Sequence, residues 1–377
     1  MDFEYNEDQR QLAQSLRKYL SSTCDFDLRR QAVDGGSTIG KAAWSAMAEM
    51  GVLGLPFSIE DGGFGGGAVD LMAPMEAQGE FLLAEPLLDH VALAGRLIAR
   101  AGDAAQRSAW LPALVDGSRR ACFAFLEPDR RFALEPAATT ARKSAQGWQL
   151  DGCKLMADGA PGADVMVVSA CTASGASLFL VERTNPRLRV NSYRTLDGRQ
   201  AGDAWFDAAD LPANALLGQE GGALSLIEEA VDFASALLCS EAVGAMSSAN
   251  EATLAFLKSR QQFGVPLGSF QALQHRMVDM FMACEQARSM AILAACRVDA
   301  AVANDAGSAA GRMAAVSSAM VGVLEAARLI SQESVQLHGA IGMSDDMKIS
   351  HTFRRLTALA HRFGDIDHHI ERYARFS

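Results

Sequence analysis

The stretch HRMVDMFMACEQARSMAILAACRVDAAVA, residues 275–303, places apolar side chains around most of a helical circumference rather than along one stripe. A helix of that kind must be covered by other helices, from its own chain or from a neighbour. Ala- and Met-rich text with apolar residues three and four apart fills the sequence from residue 223 onward, which predicts a helical bundle and an oligomer.

Upstream the period changes. The segments ACFAFLE, WQLDG, DVMVVSAC, SLFLVER and DAWFDAADL are short, alternating or β-rich, and are bounded by Gly, Pro, Asp and Asn. From Glu4 to about Asp116 helical spacing returns, as in LAQSLRKYL and AAWSAMAEMGVLGL. The expected organisation is α+β with three domains: helical over residues 1–117, a β-domain over 118–222 and a helical bundle over 223–377. The glycine run EDGGFGGGAVD, Glu60 to Asp70, has no preceding strand and no following Lys-Ser/Thr, so it reads as a flexible helix connector rather than a phosphate loop.

Charge and cysteine usage narrow the function. A formal net charge of -11 excludes a nucleic-acid backbone as partner, although a local basic cluster can still hold a small anion. Seven cysteines without a CxxC pair read as reduced thiols, mostly small apolar core residues. The acidic, amphipathic start lacks the basic leader and apolar run of a signal peptide, and no stretch reads as a membrane span of roughly 20 apolar residues. A cytoplasmic protein is expected.

The densest segment is SRQQFGVPLGSFQALQHRMVDM, Ser259 to Met280. A helix ends, a loop with a Phe-Gly and a Pro turn follows, and a new helix opens after Ser269. Arg260 offers forked donors suited to a phosphate or pyrophosphate, and Phe263 a stacking face. By residue type alone, an ordinary helix connection with polar surface residues accounts for the segment equally well.

This segment resembles the arginine-x-x-phenylalanine-glycine and phenylalanine-glutamine signature of the acyl-CoA dehydrogenase family. VQLHGAIGM, Val335 to Met343, resembles that family's glutamine-x-x-glycine-glycine-x-glycine segment; MGVLGLPFSIEDGGFGGG, FAFLEP and LDGCKLMADGAPGADVMVVSA resemble its N-terminal and β-domain text. The resemblance runs in order along essentially the whole chain. It implies an N-terminal all-α domain, a middle β-barrel and a C-terminal four-helix bundle, with FAD bound across a dimer interface. The implied activity is Cα–Cβ desaturation of an acyl-CoA thioester, which needs a carboxylate base and a flavin hydride acceptor. Carried over by position, Arg260 contacts the pyrophosphate, with Phe263, Gln271, Gln336 and Gly339 around the adenosine half of a FAD seated mainly on the neighbouring subunit.

Other positions depart from the family. Its flavin- or ligand-touching threonine and serine correspond to Leu126 and Phe132, and its tryptophan and threonine beside the flavin ring to Met156 and Asp158. The family's usual catalytic glutamate corresponds to Phe363 and the alternative site of its branched-chain members to Ala234, neither able to accept a proton. This combination resembles divergent bacterial members acting on bulky thioesters such as steroid fragments, often as α2β2 heterotetramers. The chain is then either a catalytic subunit, a non-catalytic partner subunit, or a flavin oxidase or monooxygenase of the same fold.

Periodicity supplies a base candidate. Ile227, Val231, Ala234, Leu238, Glu241 and Ala245 form one helical face on which Glu241 is the only charge. It reads either as a base on an apolar face or as a structural carboxylate paired with an arginine. Asp365, beside the vacated Phe363, is the second candidate, its alternative being a helix cap. In AHRFGDIDHH, Ala360 to His369, the adjacent His368 and His369 diverge on a helix, so no metal site is expected.

Overall fold

The computed structural model describes residues 6–34, 40–303 and 309–376. The expected helical start at Glu4 lies outside them. Helices α1 (Glu7–Thr23), α2 (Phe26–Asp34), α3 (Gly40–Glu49), α4 (Ala68–Glu80), α5 (Arg96–Ala101) and α6 (Ala104–Val115) precede a sheet of eight strands. Helices α7 (Leu224–Ser259), α8 (Gln271–Ala303), α9 (Ala309–His338), α10 (Lys348–Leu359) and α11 (Ile366–Phe376) follow it. The chain forms two compact units, one of Met1–Ile39, Gly67–Leu83 and Ser235–Ser377, the other of Gly40–Gly66 and Ala84–Ala234.

In the helical unit α4 and α7 touch backbone to backbone. A Cβ added at Gly79 would lie 1.9 Å from the Glu241 carbonyl oxygen, and one at Gly244 would lie 1.9 Å from that of Glu76. Glycine at both positions permits that approach. Asp299 on α8 accepts the N–H groups of Ala68 (2.7 Å) and Val69 (3.0 Å), satisfying orphan donors at the start of α4 and opposing its dipole. Two helices, Leu224–Ser259 and Ala309–Met343, are after all long and apolar enough to cross a membrane, but 94% and 56% of their apolar windows are buried inside the protein. The 275–303 segment itself, on α8, buries Met280, Cys284 and Ala291 but leaves Val278, Phe281, Met282 and Leu293 exposed, so its apolar circumference is only partly covered within this chain.

In the other unit the strands are β1 (Ala121–Ala124), β2 (Thr140–Ser144), β3 (Gly147–Asp158), β4 (Val165–Thr172), β5 (Gly175–Glu182), β6 (Leu188–Arg194), β7 (Gln200–Pro212) and β8 (Leu216–Leu217). Their order is β6-β7-β3-β2-β4-β5-β8, with β1 joined parallel to β4. The expected barrel is therefore corrected to an open, mixed sheet. Among the described residues β6 pairs only with β7 and β8 only with β5. Closure requires end strands long enough to pair with each other, and β8 has two residues before the chain turns toward α7. Trp148, Leu150, Met166, Val168, Phe179 and Phe206 are among the buried residues of its core.

The glycine run connects α3 to α4, but in place of the expected flexible link its backbone is hydrogen-bonded: Gly65 N–H donates to Phe57 O (2.7 Å) and Gly66 N–H to Leu55 O (2.8 Å). A π-helical segment, Leu88–Gly95, is buried along its whole length and carries His90. The His90 Nε2–H group donates to Leu114 O (2.9 Å) and Nδ1 accepts from Ala121 N–H (3.2 Å), which requires the neutral ring. Burial pulls its pKa down to about 4. The unfolded chain takes up this proton near pH 6.5, so stability present above that pH is lost as pH falls toward 4, by on the order of 3 kcal/mol. Thermal midpoints measured from pH 7 to pH 4 are expected to fall less steeply in His90→Gln; equal slopes would refute the assignment.

Candidate active site

The arm singled out in the sequence is a miniature hairpin. After α7 ends, β9 (Gln261–Gln262) pairs antiparallel with β10 (Val265–Pro266), with Gln262 opposite Val265. The two residues between them, Phe263 (φ 54°) and Gly264 (φ 81°), both have positive φ, as a type I′ turn requires. A phenylalanine in the left-handed region costs about 1 kcal/mol, and it leaves the ring 88% exposed. Phe270 meets that ring edge-on at 6.2 Å. Arg260 opens the hairpin, its backbone held by Phe256 O and Leu267 N, and Gln271 begins α8; both side chains are exposed.

Gln336 and Gly339 reach the same end of the bundle. His338, at the end of α9, stacks on Phe256, one turn before Arg260, with centroids 4.4 Å apart. Gly339 (φ 67°) then breaks the helix in the left-handed conformation that favours glycine. Gln336 is exposed on the last turn. The structure thus gathers an exposed guanidinium, an aromatic face and two carboxamides, a donor set that fits the pyrophosphate and adenosine half of FAD.

Glu241 is fully buried, and its Oε1 accepts a 2.6 Å hydrogen bond from Arg355 Nη1, also fully buried. Arg355 Nη2 donates to Leu83 O (2.7 Å) and Leu82 O (3.3 Å), and Arg29 Nε donates to Leu82 O (2.7 Å). This polar knot fixes the turn after α4, where Leu82 is left-handed (φ 53°). The sequence alone does not pair Arg355 with Glu241. The signal was there: it shares the buried face of α10 with Ile349, Thr352, Leu356 and Leu359, and a buried acid calls for a buried cation.

Asp365 caps α11, its Oδ1 accepting His368 N–H at 2.9 Å. It also lines a cavity of about 480 Å³ with Arg328, Phe353, His361 and Asp367. Phe363 is buried. His368 and His369 stand edge to face, 5.2 Å between centroids.

In the sheet unit, residues 125–139 form an excursion between β1 and β2 clamped at its base. Glu127 accepts the N–H groups of Ala137, Ala138 and Thr139 and a 2.8 Å bond from Lys154 Nζ. Lys154 also donates to Phe125 O and Ser169 Oγ. Burial raises the Glu127 pKa, but these donors outweigh it and hold the carboxyl at about 2. Met156 sits at a bulge in β3 with φ 51° and is 59% exposed; its N–H is taken by Asp203 (3.0 Å). Asp158 is bound by Arg199 at 3.1 Å. A thioether, a spent backbone donor and a paired carboxylate do not offer a flavin ring the polar edge that a threonine would.

Comparison with known proteins agrees with the resemblance read from the sequence. The family descriptions "Acyl-CoA dehydrogenase, N-terminal domain" and "Acyl-CoA dehydrogenase, C-terminal domain" match residues 6–118 and 222–377. Acryloyl-CoA reductase (NADH) of Anaerotignum propionicum is 26% identical over 94% of this chain and 90% of its own. A variant of the Tcur3481-Tcur3483 steroid ACAD superposes with a TM-score of 0.86 at 29% identity, covering 98% of this chain and 97% of that one. The ChsE4-ChsE5 complex from Mycobacterium tuberculosis gives 0.89 at 24% identity, covering 100% and 98%, a likeness of fold. The chain belongs to the acyl-CoA dehydrogenase family of FAD-dependent oxidoreductases.

Proposed function

We propose that this chain is one subunit of a heteromeric acyl-CoA dehydrogenase whose arm completes the FAD site of a related partner chain. The observation that carries this reading is the contrast between two sets of residues. Arg260, Phe263, Gln271, Gln336 and Gly339 form an intact, exposed donor set, whereas Leu126, Phe132, Met156 and Asp158 lack the groups that would receive a flavin ring. FAD, when bound, accepts the hydride from the β-carbon of the thioester. This chain's part is to hold the pyrophosphate with Arg260 and to stack or hydrogen-bond the adenosine with Phe263, Gln271 and Gln336. Likeness to a steroid ACAD and to a two-protein complex supports a bulky, steroid-like acyl group and an α2β2 assembly.

Neither carboxylate is poised as a free base. Glu241 would have to part from Arg355, and Asp365 from its cap, so the reading assigns the Cα proton to a carboxylate of the partner chain. The test is flavin content. Purified alone, the chain is expected to carry far less than stoichiometric FAD; co-expressed with a related chain whose β-domain keeps the threonine and serine, it is expected to yield a yellow complex. Stoichiometric FAD on this chain alone would overturn the heteromeric reading.

A further inference from the structure

A cavity of about 620 Å³ lies within the sheet unit, between α6 and the ends of β5 and β7. It shares no residue with the arm, with the excursion of residues 125–139 or with the Glu241–Arg355 pair. Its floor is apolar: Trp110, Leu180 and Leu211 line it and are each more than nine-tenths buried. Concave sites with an apolar floor and a few placed polar groups are where small molecules bind.

Both walls are pinned. Gln106, also buried, donates to Asn214 O and Leu216 O (2.9 Å each) and accepts Asp103 N–H (3.1 Å), which ties the first turn of α6 to the segment after β7. Opposite, Asn185 donates to Asp210 O (3.0 Å) and accepts Arg187 N–H (2.9 Å), fixing the turn after β5. Walls already held in place lower the ordering cost of binding.

Two opposite charges meet at one end. After α6 the chain folds back, with Arg119 N–H donating to Ala113 O (3.0 Å), and the Arg119 guanidinium comes to lie 5.0 Å from the Trp110 ring centroid. Glu182 stands two residues beyond Leu180 on β5, on the same face of the strand. A backbone ladder brings the two neighbourhoods together: Asp164 N–H donates to Arg120 O (2.8 Å) and Arg183 N–H to Asp164 O (2.9 Å). Yet both side chains are exposed on the cavity rim, and among the described residues neither is in an ion pair. At the far end Asp103 is spent as the cap of α6, accepting Gln106 N–H at 2.8 Å.

We infer that this cavity binds a free α-amino acid with a large apolar side chain. Arg119 takes the carboxylate through its forked donors, Glu182 takes the ammonium group, and Trp110, Leu180 and Leu211 receive the side chain. A molecule with only one of the two charges leaves the other rim group without a partner. The inference goes beyond the dehydrogenase reading and does not rest on it.

Calorimetric titration of the full chain with L-phenylalanine, phenethylamine (no carboxylate) and 3-phenylpropionate (no ammonium) tests this. Each analogue is expected to bind about tenfold or more weakly than L-phenylalanine, as loss of a charge-assisted bond implies. Arg119→Ala should weaken L-phenylalanine by a similar factor while phenethylamine binds no worse; Glu182→Gln should weaken L-phenylalanine while 3-phenylpropionate binds no worse. That crossed pattern is one a merely structural role would not produce, and unchanged thermal midpoints of the ligand-free variants show that the fold is kept. The inference is overturned if none of L-phenylalanine, L-leucine and L-tryptophan binds saturably, if the single-charge analogues bind as tightly as L-phenylalanine, or if both variants bind it unchanged. FAD content of the co-expressed complex is expected to be the same in both variants, so this test and that of the cofactor arm fail separately.

Discussion

Arg355→Met is expected to destabilise the helical unit by about 3–5 kcal/mol, the range for leaving one member of a buried ion pair without the other. Glu241 would keep a charge inside a helix interface, and the Leu83 carbonyl would lose its Arg355 donor, whereas the Leu82 carbonyl keeps Arg29 Nε. Converting both partners, Glu241→Gln with Arg355→Met, removes both buried charges. It should recover much of the loss but not all, since the Leu83 carbonyl still lacks the Arg355 donor. Chemical denaturation of the four proteins in a double-mutant cycle measures the coupling; additive losses would show that the pair does not act as a unit. The same Glu241→Gln chain, assembled with its partner, also reads out catalysis. Retained turnover places the base elsewhere, and abolished proton abstraction with normal FAD content returns it to Glu241.

This pair shows where the sequence stops being legible. The apolar face of α7 is written at three- and four-residue spacing, and Glu241 stands out on it because local periodicity is enough to find it. Its partner lies 114 residues away, on a helix whose own pattern says only that Arg355 faces inward. Pairing is a tertiary fact. Closure of the sheet is similar: alternation predicts strands, but whether β6 meets β8 depends on strand length and on the path of the chain. The barrel expectation came from family resemblance and fell on that point.

The hairpin and the excursion make the opposite contrast. Phe263-Gly264 could be noticed in the sequence because Gly follows an apolar residue in a polar loop, and its turn type follows from two positive φ angles. Nothing local announces that Asp129 and Arg131 are left-handed, since neither is glycine. Lys154, at the base of the same excursion, would be placed by a β-strand pattern as a surface lysine until its three partners are seen.

Arg260→Ala tests the arm itself, and its expected effect is on cofactor rather than on fold. The side chain is exposed and sits at a helix end, so the thermal midpoint of this chain alone should move by less than a degree or two, as for other surface substitutions within about 0.5 kcal/mol. In the assembled complex, removing a guanidinium from a pyrophosphate forfeits charge-assisted hydrogen bonds worth about 1.5–3 kcal/mol, which corresponds to roughly a ten- to hundredfold weaker hold on FAD. Arg260→Lys keeps the charge but not the fork, and should fall between. The measurement is flavin absorbance per complex after gel filtration, followed by FAD titration of the stripped protein. Full flavin occupancy in Arg260→Ala would mean that the arm contributes nothing to the cofactor, and the chain would then be read as a structural subunit of the same fold.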